Sequence, residues 1–250
     1  MTSDVRWRMA LGLAAVAMLT AATPARAQRT GDGFLFGTPS SSFVLRGGLD
    51  QALAGGDLLT FVRDSLTLNR GSFRALSFTG EINARLGPRT DLVFAATWSG
   101  SRSGSEYRYW VDNNNLPIQQ TTSLQRVPLT VGLRQYLAPV GQSVGRLAWI
   151  PSKVAPFIGG GAGVMWYRFH QDGDFIDDSL NVFRDAFTTS DWAFTAYAEA
   201  GADVSLGASL YLTGAARYTW ARAKPHSDFS GWDRIDLSGV ALSVGVGVRY

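Results

Sequence analysis

Residues 241–250 read Ala-Leu-Ser-Val-Gly-Val-Gly-Val-Arg-Tyr. Leu242, Val244, Val246, Val248 and Tyr250 fall on one side of a period-2 pattern, and Ser243, Gly245, Gly247 and Arg249 on the other. Successive side chains of a strand point to opposite faces. One face of this segment therefore suits hydrocarbon, and the other suits a crowded polar interior. A strand of this kind is the closing element expected of a transmembrane β-barrel, in which apolar-out and polar-in positions alternate.

The opposite end of the chain points to export. Arg6 and Arg8 precede an uncharged, largely apolar run from Met9 to Ala22, and Pro24 precedes Ala25-Arg26-Ala27. A basic start, a short apolar stretch and an A-x-A site form a secretory signal peptide. Cleavage is expected after Ala27, making residues 1–27 the signal peptide and residues 28–250 the barrel domain. The apolar run falls short of the ~20 residues a membrane-spanning helix needs. Any later crossing must therefore use strands.

Composition is consistent with this. The 250 residues include 28 glycines, 30 aromatic residues and no cysteine, so an exported chain would carry no disulfide. Mean hydropathy is +0.00, as expected where each strand averages an apolar and a polar face. Residues 1–27 hold three arginines and one aspartate, so their removal lowers the formal charge from +3 to +1. No basic patch calls for nucleic acid.

Eight segments have the length and alternation of membrane strands, which need about 9–11 residues. They are 42–50, 75–86, 91–102, 125–137, 155–169, 192–206, 210–222 and 237–250. The phase of the fifth is undecided, because Phe157 to Tyr167 is apolar on both sides. Strands two and three, and six and seven, are joined by a few residues. The connections 51–74, 103–124, 170–191 and 223–236 are long, which is the pattern of short inner turns and long outer loops. The connection 138–154 departs from it.

The ending in an aromatic residue resembles the C-terminal strand signature of bacterial outer-membrane proteins, carried here by Val246, Val248 and Tyr250. With the signal peptide and the eight strands, the chain resembles the small outer-membrane barrels of the OmpA, OmpX and OmpW kind. That resemblance implies an all-β, eight-stranded antiparallel barrel in the bacterial outer membrane. It also implies insertion by the barrel-insertion machinery, contact with outer-membrane lipid and lipopolysaccharide, and a monomeric state.

Function is sought first in the interior. The strand phases turn Arg46, Glu81, Arg85, Arg134, Glu199, Asp203, Arg217 and Arg249 inward. Charges enclosed in a barrel must be paired or hydrated, because leaving them alone costs several kcal/mol. An interior charge network that plugs the barrel is therefore expected. Outward aromatics should mark the membrane interfaces, with Tyr250, Tyr136 and Trp149 on the inner side and Trp98, Trp166, Trp192 and Trp220 on the outer. Loop aromatics should pack together above the membrane, on strands one to four prolonged as hairpins.

Sites for chemistry are few. His226-Ser227 with Asp228 and Asp233 offers the residue types of a nucleophile and base. His170 lies near Asp172 and Asp174. The acidic loop from Asp172 to Asp185 lacks the spacing of a calcium loop. No catalytic, metal or cofactor residue is assigned, and no cofactor is implied. The reading is a structural or interaction scaffold. An OmpW-like narrow passage for small or apolar molecules is the alternative, and a lipid-modifying enzyme is third.

Overall fold

In a computed structural model, residues 33–250 are described, except 113, 146 and 178–180. Ala25 and Ala27 of the expected cleavage site lie outside the described residues. Eight antiparallel strands form the barrel: β1 (Ser41–Ala52), β2 (Arg74–Gly87), β3 (Thr90–Val111), β4 (Pro117–Tyr136), β5 (Val154–Ile176), β6 (Val182–Ser205), β7 (Leu210–Ala223) and β8 (Gly239–Arg249). Each strand pairs with its neighbours in sequence, and β8 pairs with β1 to close the ring. Closure leaves no edge in the barrel wall, as a membrane demands of a sheet. Val246 lies opposite Leu45 and Val248 opposite Phe43 across that seam.

The alternation holds around the ring. Leu45, Leu49, Phe78, Ile82, Phe94, Leu133, Phe194, Leu212, Val244 and Val246 are exposed on the outer surface. For soluble protein such a continuous apolar belt would be a liability, whereas against lipid it is the required surface. The phase of β5 is now settled: Ile158 and Val164 face outward, while Phe157, Met165, Tyr167 and Phe169 are buried inside.

Four strands are longer than the sequence implies. β3 and β4 contain 22 and 20 residues, and β5 and β6 contain 23 and 24. Their upper halves stand above the membrane belt, where the outward face meets water and no apolar face is needed. The polar stretches 99–106 and 119–125 thus continue the strands without the alternation that marks a membrane segment. The prolonged hairpins are β3–β4 and β5–β6. β1 and β2 stop near the belt, and their connection folds instead into helix α1 (Gly56–Ser65).

Helix α1 caps the outer mouth. Its Leu58, Leu59 and Val62 are buried against Leu124, Met165 and Phe169, together with Phe229, Ile235 and Leu237 of the last outer loop. Gly56 begins the helix at φ 80°, a conformation that glycine adopts without strain. Asp236 N donates to Gly55 O at 3.1 Å, tying the start of the helix to the last outer loop.

The inner mouth is also covered. Residues 141–144 and 148–151 form a hairpin to which Leu35–Phe36 adds a third strand. This explains the long 138–154 connection. It also corrects two expected interface aromatics. Trp149 is buried with Val140, Ala155 and Phe157, and Tyr136 faces the same interior cluster. Tyr250, Trp98, Trp192 and Trp220 are exposed on the outer wall.

The interior is tight at β8. A Cβ on Gly245 would run into the Leu45 carbonyl oxygen and Arg46 Cα of the neighbouring strand. Gly47 faces outward, where a Cβ would meet only the Phe78 ring, at 4.0 Å. Gly245→Val should abolish the heat-modifiable gel shift of the folded barrel, and Gly47→Val should retain it. Electrophoresis of refolded protein with and without boiling checks both.

Candidate functional site

The candidate site is the charged centre of the barrel. Cross-strand register builds most of it. Arg85 pairs with Asp91, Asp91 with Arg134, Arg134 with Gly159, Gly159 with Glu199, and Glu199 with Arg217. From Arg217 the same row passes through Ala241 to Asp50. One row of neighbouring residues therefore winds around the inner wall with alternating sign wherever it carries charge. Opposite charges directly across a strand pair are mutually stabilising. Arg46 on β1 and Glu81 on β2 enter from outside this row.

Five of these side chains meet at the centre. Arg134 Nη2 donates to Glu199 Oε1 at 2.8 Å and to Glu81 Oε2 at 2.9 Å. Arg217 Nη2 donates to Glu199 Oε2 at 3.0 Å and to Glu81 Oε1 at 3.4 Å. Arg46 Nη2 donates to Glu81 Oε1 and reaches Glu199 Oε2 at 3.5 Å. Each glutamate thus faces three guanidiniums, and each arginine bridges both glutamates. Arginine suits this task, because its planar fork is always charged and donates in several directions. Arg134 is 0% exposed, Glu81 1% and Arg217 9%, so the centre is almost wholly buried.

The surrounding wall is shaped to hold the cluster. The Arg134 guanidinium lies 4.2 Å over the Phe157 ring, and that of Arg217 lies 4.1 Å over the Tyr197 ring. Cations are attracted to such ring faces. Gly159 leaves room for Glu199, whose Cγ would lie 3.2 Å from a Cβ there.

The other inward charges stand apart from the cluster. Arg85 pairs with Asp91 at 2.5 Å. Asp203 accepts from Tyr136 Oη at 2.9 Å. Arg249 donates to Ser205 Oγ at 3.0 Å and covers the Tyr211 ring at 4.1 Å. The eight charges therefore form one five-membered cluster and three separate contacts.

Sequence reasoning missed Asp91, Asp50 and Arg126. Arg126 Nη2 donates to Asp50 Oδ2 at 2.7 Å, and its Nη1 donates to the Leu237 carbonyl at 2.7 Å. All three lie on the inward phase of their strands, so reading each pattern to the strand ends would have found them. Helix α1 also carried a signal: Leu58, Leu59, Val62 and Leu66 have helical spacing, and Asp57 suits a first turn.

The outer cap holds a second feature. A crevice of about 190 Å³ lies between α1 and the extended hairpins, lined by Phe61, Val62, Phe175, Phe187, Phe229 and Trp232 among others. Phe61 and Trp232 rings lie 4.8 Å apart, and Phe175 and Phe187 rings 4.6 Å apart. Burial beside this crevice raises the Tyr107 hydroxyl above its ordinary value, against the lowering effect of its Gln120 hydrogen bond. Loop aromatics do pack together here, but Tyr109 and Trp110 remain exposed near the tip of β3–β4.

Among the described residues, neither histidine ring contacts a serine hydroxyl. His170 Nδ1 contacts Thr188 Oγ1 at 2.7 Å. His226 Nε2 lies 3.1 Å from Asp191 Oδ2 on the exposed outer surface, while Asp228 accepts from Thr188 N at 2.8 Å.

No family model matches the sequence, and no curated protein matches it. Solved structures do. Neisserial surface protein A has a TM-score of 0.43 at 12% identity, over 83% of this chain and 97% of that one. OprG from Pseudomonas aeruginosa has a TM-score of 0.43 at 14% identity, over 86% and 99% of the two chains. The outer-membrane protease OmpT from Escherichia coli has a TM-score of 0.42 at 8% identity, over 88% and 98%. At these identities no residue role or activity passes from them to this chain. The closed eight-strand ring and its apolar belt define an eight-stranded transmembrane β-barrel.

Removing a carboxylate from the centre leaves three guanidiniums facing one, whereas removing an arginine leaves two facing two. Breaking a buried ionic group costs about 3–5 kcal/mol when it strands a charge. Glu199→Gln should therefore destabilise the barrel by about that amount, and Arg217→Met by distinctly less. Urea unfolding from lipid vesicles, compared between the two variants and the parent, measures the difference.

Proposed function

We propose that this chain is a closed, monomeric barrel of the bacterial outer membrane, acting as a scaffold that meets lipid and other molecules through its outer surface. The observation that carries this reading is the sealed ionic centre lying between two covered mouths. Eight strands enclose only enough space for side chains or one small ligand. Here that space is taken by α1 and its apolar neighbours above, five interlocked charges in the middle, and the Trp149 hairpin below. In this reading Val246, Val248 and Tyr250 present the outward face of β8 to the insertion machinery, and residues 1–27 direct export.

The outer rim supports contact with anionic lipid. Arg74, Arg102, Arg168 and Arg222 are exposed on the outward phase of β2, β3, β5 and β7. Arg168 stands two residues beyond Trp166 and Arg222 two beyond Trp220, on the outer side of the aromatic level. No ion pair engages any of the four among the described residues. Guanidiniums pair bidentately with phosphate, and lipopolysaccharide presents phosphates at this depth. Above the rim, the aromatic crevice and the exposed Tyr109 and Trp110 offer surfaces for a protein or small-molecule partner.

A catalytic reading rests on the His226–Asp191 pair alone. The ring of His226 has no hydroxyl in hydrogen-bond contact among the described residues, so a nucleophile is missing from the arrangement. An OmpW-like passage would need a path around Arg134.

Proteoliposomes carrying the refolded mature chain should not swell in isosmotic arabinose or glycine. Swelling at rates above protein-free liposomes would favour the passage. Replacing all four rim arginines by glutamine should lower the thermal stabilisation given by lipopolysaccharide several-fold, while leaving the gel shift intact. Equal stabilisation of parent and variant would remove the rim from the account.

A further inference from the structure

The barrel interior carries one charge too many. Leaving aside Asp191, which lies on the inward phase of β6 but is 37% exposed at the outer mouth beside His226, the inward arginines among the described residues are Arg46, Arg85, Arg126, Arg134, Arg217 and Arg249, and the inward carboxylates are Asp50, Glu81, Asp91, Glu199 and Asp203. Six positive charges thus stand against five negative ones. The local pairs Arg85–Asp91 and Arg126–Asp50 are balanced. Asp203 and Arg249 balance one another as a set near the inner mouth. The surplus belongs to the centre, where Arg46, Arg134 and Arg217 share only Glu81 and Glu199. An isolated charge in a sealed, low-dielectric interior is strongly unfavourable.

A cavity adjoins that surplus. About 30 Å³ lies between the five-membered cluster and the Arg126–Asp50 pair. Arg46, Arg126 and Arg217 line it, with the hydroxyls of Thr79 and Thr97. Its one carboxylate, Asp50, is already held by Arg126 at 2.7 Å. Arg46 has a side-chain exposure of only 2%, yet its Nε and Nη1 have no hydrogen-bond partner. Buried donors of this kind are rare, and each needs an acceptor. The cavity is therefore rich in donors, positive overall, and large enough for one water-sized sphere, which needs about 10–15 Å³.

We propose that this cavity binds a single halide-sized monovalent anion, chloride under ordinary conditions, held by Arg46, Arg126 and Arg217. The inference rests on the sealed interior argued above, because a centre open to bulk water would need no resident counter-ion. A water molecule could satisfy the free N–H groups, but it would not neutralise the charge. Phosphate and sulfate are too large for the space. With the lumen covered at both ends, the ion enters as the barrel folds.

The test uses the mature chain refolded and crystallised in bromide, with anomalous scattering recorded at the bromine edge. A peak within hydrogen-bond reach of Arg46, Arg126 and Arg217 is the expected result. Arg217→Met balances the central charges, so the peak should be lost in that variant. The parent should also unfold at a higher temperature in chloride than in gluconate of equal ionic strength, and the variant should show no such shift. Should Arg217→Met fail to refold, the parent's peak and its halide-dependent midpoint still decide the matter. A parent lumen with no bromide and no halide dependence overturns the proposal and leaves the closed-barrel reading standing. A bromide peak in a barrel that nonetheless lets glycine through supports the site and removes the closure.

Discussion

The structure depends on one constraint: charges placed inside an eight-stranded barrel have little to pair with except one another. The lumen of such a barrel is filled by side chains rather than water. Arg134, Glu81 and Glu199 are accordingly buried almost completely and paired with one another, with Arg134 Nη1 left without a hydrogen-bond partner. The register supplies the pairing. A single row around the wall brings Arg85, Asp91, Arg134, Glu199 and Arg217 next to partners of opposite sign. A slip of one residue in any strand would turn a whole face outward. On β1, β2, β4, β6 or β7 it would place an arginine or glutamate against lipid, which costs about 2–4 kcal/mol for arginine near the bilayer midplane. The cluster therefore fixes register as well as filling space.

Closure of the two mouths follows from different parts of the sequence. At the outer end, the 51–74 connection becomes a short amphipathic helix because the tall β3–β6 wall gives Leu58, Leu59 and Val62 an apolar surface to cover. At the inner end, the 138–154 connection folds back under the barrel, so that Trp149 reaches Phe157 and stands 5.9 Å from the Arg249 guanidinium. The barrel is thus asymmetric: a plain belt within the membrane, a small inner cap, and a high outer wall carrying aromatic and basic surface.

Much of the architecture was legible because membrane strands obey a strict alternation. The outward apolar residues of β1, β2, β3, β4, β6, β7 and β8 all read correctly from the period-2 pattern. β5 did not, because Phe157 to Tyr167 is apolar on both faces: Ile158 and Val164 meet lipid, while Phe157 and Met165 pack inside. The upper halves of β3 to β6 are hidden for a different reason: above the belt no hydrocarbon demands an apolar outward face, and inward positions such as Gln120, Thr122 and Gln171 are polar too, so the alternation in burial leaves no alternation in hydropathy. The inward charges were legible singly, but their grouping was not. Which of them meet depends on inter-strand register and tilt, and neither is written in the order of one strand's residues. The placement of Trp149 and Tyr136 followed a different error. An aromatic residue near a strand end suits either a membrane interface or a covered barrel mouth, and the phase of β4 decides for the interior at Tyr136.

The most direct measurement of the account is a double-mutant cycle between Arg134 and Glu199, with Arg134→Met, Glu199→Gln and the pair unfolded reversibly from lipid vesicles. Residues sharing one buried network couple by about 0.5–3 kcal/mol. The account predicts a coupling in the upper part of that range, with the double variant more stable than the sum of the two single losses implies. A coupling indistinguishable from zero would show that the central charges are solvated independently, and would contradict the closed ionic centre.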